Sequence, residues 1–263
     1  MKLGLLVEVE EGLTWERWRM VFGAAERLGF DSIWVSDHLC SESSPGQGGL
    51  DAWVALTVAA AETSRIGLGT LVSPVTFRPA AIVGRMAESV QALSAGRLTV
   101  GLGLGWNEAE HERHGLAFPS ARERAALLEQ HVACVRGVAP VLIGGSGERL
   151  TLPLVARFAD GWNMTTSSAE VFAAKSALLD RLCVEVGRDP RQIARSVAVG
   201  CAVEQAPSAL DTTGWLVGAP DDLARGLQAL REVGVERVML GDYGQLDETS
   251  LEAIAADVMP KLQ

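Results

Sequence analysis

A chain of 263 residues, 48% hydrophobic and 21% charged with 28 glycines, has the profile of one α/β domain around a fully buried sheet. Its net charge of −10, from 23 basic against 33 acidic residues without a Lys/Arg block, argues against nucleic acid and anionic membrane as partners. No apolar run approaches the ~18 residues of a membrane span, and the expected location is the cytoplasm.

Short apolar runs alternate with longer amphipathic segments along the whole chain. The first run, residues 3–7, stops at Glu8, Glu10 and Glu11, which reads as a strand and not as the apolar core of a signal peptide. Trp15, Trp18, Phe22 and Ala25 then share a helical face. A second strand is predicted over 32–36, and the flexible 40–49 stretch after it is a candidate lid. Further strands are predicted over 67–72, 98–103, 141–143, 161–164, 197–203 and 237–241. Capping boxes of Ser-x-x-Glu spacing stand at Ser120–Glu123 and Ser167–Glu170. Helical faces recur at Leu223, Leu227 and Leu230, and at Leu251, Ile254 and Val258. Eight strands each followed by a helix predict parallel pairing through right-handed crossovers. The predicted fold is a single (β/α)8 TIM barrel over residues 1–263, with an open doubly wound sheet as the alternative. Cys40, Cys134, Cys183 and Cys201 are scattered, so packing roles in a reducing compartment are expected.

In such a barrel, chemistry gathers where strands end. Trp34-Val35-Ser36-Asp37-His38 closes the second strand with an acid and an imidazole that can exchange a proton near neutral pH. The third ends in Gly69-Thr70-Leu71-Val72-Ser73-Pro74, where glycine and small hydroxyls allow close approach to a planar ligand. Gly101-Leu102-Gly103-Leu104-Gly105-Trp106-Asn107 has alternating glycines, but its spacing and its place on the fourth strand argue against a dinucleotide fingerprint. Ile143-Gly144-Gly145-Ser146-Gly147 offers backbone N–H groups before a helix N-terminus, a natural seat for phosphate. His111 and His114 share a helical spacing, but without a third ligand the 110–114 segment reads as a solvated charged helix and no metal is expected.

In chain order these features resemble the bacterial-luciferase-like superfamily, which includes FMN-dependent monooxygenases and oxidoreductases using the deazaflavin coenzyme F420. The resemblance rests on residues 28–38, 66–72, 101–110, 140–147 and 159–163. It implies a flavin-like ring at the strand C-termini, with Asp37 and His38 beside it and Leu71–Val72 joined by a non-prolyl cis peptide that backs the ring. It also implies cofactor contacts from Thr70, Leu71, Val72, Gly103, Gly105 and Asn107, a phosphate seat at Gly144, Gly145, Ser146 and Gly147, and Asp160 and Gly161 nearby. Two departures stand out. The 134–140 bridge is short where relatives carry a longer, substrate-covering stretch, and Trp106 replaces an acid found in the sugar-phosphate dehydrogenases of the superfamily.

The resulting expectation is hydride transfer between F420 and a small organic substrate. His38 would exchange the proton, and Asp37 would orient it or contact the cofactor. The Ser-Asp-His ending favours the deazaflavin over FMN. The alternatives are an FMN-dependent monooxygenase fed by a separate reductase, and a non-catalytic, degenerate barrel. The apolar faces near 52–61 and 82–90 are candidates for a homodimer contact, or for packing on the barrel.

Overall fold

The computed structural model describes residues 1–41, 48–205, 211–241 and 247–262. Most of the 40–49 stretch expected to form a lid, residues 42–47, lies outside them. Eight barrel strands are present: β1 (Lys2–Val7), β2 (Ser32–Val35), β3 (Gly67–Thr70), β4 (Leu98–Gly103), β5 (Val141–Gly144), β6 (Gly161–Thr165), β7 (Ala194–Val203) and β8 (Arg237–Gly241). All neighbours pair in parallel. β8 aligns Val238 with Leu3 of β1 on one side and with Val197 of β7 on the other, so the sheet closes on itself and the open-sheet alternative falls.

The helices are α1 (Trp15–Leu28), α2 (Ala52–Glu62), α3 (Ala80–Leu93), α4 (Glu108–Arg113), α5 (Ala121–Val135), α6 (Thr151–Phe158), α7 (Ala169–Glu185), α8 (Pro220–Glu232) and α9 (Glu248–Ala253). Their ends follow from side-chain chemistry. Thr14 caps α1, Asp51 caps α2, and Gly29 ends α1 at φ 85°, the left-handed region glycine enters without a Cβ penalty. Ser120 and Glu123 form the expected reciprocal capping box on α5. The second expected box is absent. Thr166 Oγ1 accepts the Ser168 N–H, so Ser168 takes the cap and Val171 lies where the Glu was expected.

Two apolar layers hold the barrel. Outward strand residues such as Leu5, Ile33, Val100 and Ile143 pack with the helix faces, including the predicted Trp18, Phe22 and Ala25 and the Leu223, Leu227, Leu230 stripe. Leu6, Trp34, Leu142, Ala198 and Met239 fill the inside with Leu71 and Val72 against them. The interior Trp34 indole needs a glycine opposite it. A Cβ on Gly69 would stand 2.3 Å from the Trp34 ring.

Two strand bounds differ from the sequence reading by more than one residue. β7 begins at Ala194, three residues early, because Arg195 hides its start from a hydrophobicity pattern. That side chain is buried by stacking over Trp162 and pairing with Asp180. β3 ends at Thr70, and the Leu71–Val72 peptide that follows is cis. Ser73–Pro74 and Leu216–Gly218 extend the sheet beside β4 and β7. α5 reaches β5 through residues 136–140 alone, the short bridge read from the sequence. Among the described residues no helix is long and apolar enough to cross a membrane, and all four cysteines are free.

Candidate active site

A cavity of about 1030 Å³ opens at the C-terminal ends of the strands. Leu6, Leu71, Val72 and Ala198, all from the inner apolar layer, form its floor. Val72 is wedged between glycines: a Cβ on Gly103 would come within 2.5 Å of it, and one on Gly144 within 2.8 Å. We expect Gly144→Ala to cost about 1–3 kcal/mol of stability through this overpacking. Denaturant unfolding checks it, and an unchanged midpoint would show that Val72 can give way.

Above the floor stand the titratable groups. β1 ends at Val7 and turns at once. Gly12 takes φ 71°, and the Val9 carbonyl accepts the Leu50 N–H at 2.8 Å. This turn folds Glu10 inward, only 5% exposed, where its carboxylate accepts the Ser36 hydroxyl. Burial pushes the Glu10 carboxyl up to about 7, against the opposing pull of the Ser36 hydrogen bond and of His38. The carboxylates of Glu8, Glu10 and Glu11 all lie within 4.8 Å of one another, so this wall of the cavity is acidic.

His38 faces the same space, with Nδ1 2.9 Å from Glu110 Oε2. Burial works against the Glu110 charge. Hydrogen bonds from His38 and from the backbone N–H groups of Leu39 and Cys40 outweigh it and hold the carboxyl below its usual range. An ionised carboxylate only accepts, so the proton sits on Nδ1. Two carboxylates on one cavity are thereby driven in opposite directions, Glu10 up and Glu110 down, as an acid–base site requires.

Residues 4–139, just over half of the chain, match the family described as luciferase-like monooxygenases. A protein of Mycobacterium tuberculosis is 33% identical over 222 residues, spanning 73% of this chain and 69% of that one. The chain belongs to the luciferase-like monooxygenase family. It is an enzyme of this type, and the alternative of a non-catalytic barrel is set aside. The F420-dependent glucose-6-phosphate dehydrogenase of Beutenbergia cavernae is 36% identical over 131 residues, 49% of this chain and 36% of that one. In fold, the chain superposes on an F420-dependent secondary alcohol dehydrogenase solved with an F420–acetone adduct. The TM-score is 0.86 at 16% identity, over 100% of this chain and 99% of that one. The F420-dependent tetrahydromethanopterin reductase of Methanopyrus kandleri gives 0.81 at 17% identity, over 100% and 99%.

Within this luciferase-like barrel the residues singled out from sequence divide into two groups. His38, Leu71, Val72, Gly103, Gly105, Asn107, Gly144, Gly145 and Ser146 line the cavity. Asp37 does not. It is buried behind His38, where its Oδ2 accepts the Ser73 hydroxyl at 2.6 Å and Arg78 Nη1 at 2.7 Å. Arg78 also reaches Asp51 at the start of α2, so Asp37 braces the end of β2, and Glu110 is what orients His38. Thr70 is likewise turned away, its hydroxyl exchanging hydrogen bonds with the backbone of Gly101. Gly147 is exposed and outside the cavity lining, its carbonyl accepting the Leu152 N–H. Asp160 and Gly161 are at the opposite end of the barrel. The Asp160 carboxylate accepts the Val141 N–H at 2.8 Å, tying together the starts of β5 and β6.

The 110–114 segment is not a solvated helix. Asn107 caps α4, and the helix turns Glu110 and His111 inward. His111 bonds the Asn107 carbonyl and the Thr76 hydroxyl, both at 2.7 Å, while His114 is exposed, so the two do not form a metal site. Glu10, Glu110 and Arg124 were missed as cavity residues. The available signal for Glu10 was its place just beyond the C-terminal end of the first strand, which in a barrel is the mouth. For Glu110 it was the three-residue spacing from a capping Asn. Arg124 gave none, since its place depends on the path of the segment that carries Phe118 and Pro119, on which it packs.

Proposed function

We propose that the chain transfers hydride between a deazaflavin coenzyme of the F420 type and a small organic substrate. The observation that carries this reading is the juxtaposition of Glu10 and the His38–Glu110 pair over an apolar floor. That is a proton-exchanging group set above a platform for a flat ring. The naming of F420 in the glucose-6-phosphate dehydrogenases among the relatives matched by sequence, and in two of the fold neighbours, favours the deazaflavin.

The cavity suits such a group. Leu6, Leu71, Val72 and Ala198 offer an apolar bed. The Gly144–Ser146 backbone, with Gly145 at φ 115°, leads to the N-terminus of α6, which has no side-chain cap, and both favour an anion. Arg124 is the one Lys or Arg among the described lining residues, and its Nε is buried without a hydrogen-bond partner. Glu148, whose charge would oppose a phosphate, is paired with Lys175 at 2.7 Å.

When bound, the ring supplies or accepts the hydride and carries its two electrons. The residues of the chain handle the rest. In the reducing direction, the substrate carbonyl oxygen takes its proton from Glu10, whose pKa of about 7 leaves it partly protonated at neutral pH. His38, held by Glu110, presents Nε2 as an acceptor and receives the hydrogen bond of the alcohol hydroxyl once it has formed. In the oxidising direction the Glu10 carboxylate takes that proton back.

Spectral titration of the purified protein with F420 and with FMN tests the proposal. We expect F420 to bind and to be reduced or oxidised with substrate without oxygen uptake. Binding of FMN with oxygen consumption would replace the proposal with the monooxygenase reading, and binding of neither would overturn it.

A further inference from the structure

Trp106 is 66% exposed, the most open aromatic among the large exposed hydrophobics of the described residues. It nevertheless belongs to the cavity, lining its edge with its ring 5.9 Å from that of His38 at 73°. Its mount is rigid on both sides. Gly105 takes φ 78° and a Cβ there would stand 3.1 Å from Thr76 Oγ1, while Asn107 is tied down as the cap of α4. An indole on a fixed mount, left largely in water beside the His38 imidazole, is apolar area that a ligand can cover.

The charges around it restrict which ligand. Glu8, Glu10 and Glu11 crowd the wall next to His38. The lining guanidinium, Arg124, stacks on Phe118 at 4.0 Å, and His111 packs on that same ring from α4. An anionic group brought up to His38 would therefore meet three carboxylate side chains, against a single lining Lys or Arg, the stacked Arg124.

We propose that Trp106 selects the substrate, an uncharged molecule whose flat apolar part packs on the indole while its oxygen meets His38 and Glu10. This rests on the redox reading above and adds the substrate class to it. Dissociation constants for acetophenone and 4-acetylbenzoate, which differ by one carboxylate, test it. They would be measured by ligand-observed NMR on the wild type, Trp106→Phe and Trp106→Ala, each with and without F420. Acetophenone is expected to bind the wild type ~10-fold or more tightly than 4-acetylbenzoate, and to lose ~10-fold in Trp106→Ala but less in Trp106→Phe. Equal acetophenone binding by wild type and Trp106→Ala would overturn the inference, as would 4-acetylbenzoate binding as tightly as acetophenone. If both contrasts persist in a protein that does not bind F420, the inference is supported and the redox reading fails separately.

Discussion

Glu10→Gln is expected to slow turnover ~10²–10⁴-fold, the range for loss of a positioned proton carrier, while making the folded protein more stable at neutral pH. Both effects come from the same burial. The wild-type carboxyl titrates at about 7 in the folded chain against an ordinary value of 4.5. A carboxyl raised on folding stabilises through its protonated form. That contribution is fully present below about 4.5 and is lost as pH rises through about 7. At pH 8 the wild type therefore carries a penalty of up to about 3 kcal/mol, which glutamine avoids while keeping an acceptor for the Ser36 hydroxyl. Denaturant unfolding at pH 4.5 and pH 8 measures the stability half: the gap between variant and wild type should open with pH. Rate profiles measure the other half, with carbonyl reduction by the wild type falling above pH 7 and the reverse reaction rising through it. Unchanged kcat in Glu10→Gln would remove Glu10 from the chemistry.

Glu110→Gln is the second large effect, through the orientation of a ring and not through contact with substrate. The Glu110 carboxylate accepts from His38 Nδ1, the Leu39 N–H and the Cys40 N–H. Glutamine can still accept from the backbone, but then turns its amide N–H₂ toward His38 and requires Nδ1 to become the acceptor. The ring proton moves to Nε2, and the nitrogen that served as acceptor toward the cavity becomes a donor. A fall in kcat of about 10²-fold with KM little changed is expected. Nitrogen-15 shifts of His38 should report Nδ1–H in the wild type and Nε2–H in the variant, a signature that a purely structural role would not move. The same tautomer in both proteins would refute the positioning role. Glu110→Asp, which keeps the charge, should recover part of the rate.

The barrel was legible because each of its strands is an apolar run buried on both faces, and each helix carries one apolar stripe. Hydrophobicity marks such elements wherever they lie, and all eight strands stand at their predicted places. Bounds failed where a polar residue is buried by partners distant in sequence, as Arg195 is by Trp162 and Asp180. The strand-end motifs were legible as a class, since His38, Gly103 and the 144–146 loop all reach the cavity.

Which residue does what was not legible. Asp37 and His38 are adjacent in sequence, yet successive side chains at a strand end point to opposite sides. Asp37 therefore braces Arg78 while His38 faces the cavity. The carboxylate that orients His38 comes from 72 residues away, and the acid raised by burial sits in a run that looks like solvated charge. The sequence alone determined the closed alternation of strands and helices, and the end of the barrel where chemistry gathers. The tertiary structure alone decided the assignment of Glu10, Glu110 and Trp106. Burial and hydrogen bonding between elements set a carboxylate's proton affinity, and neither is a property of local sequence.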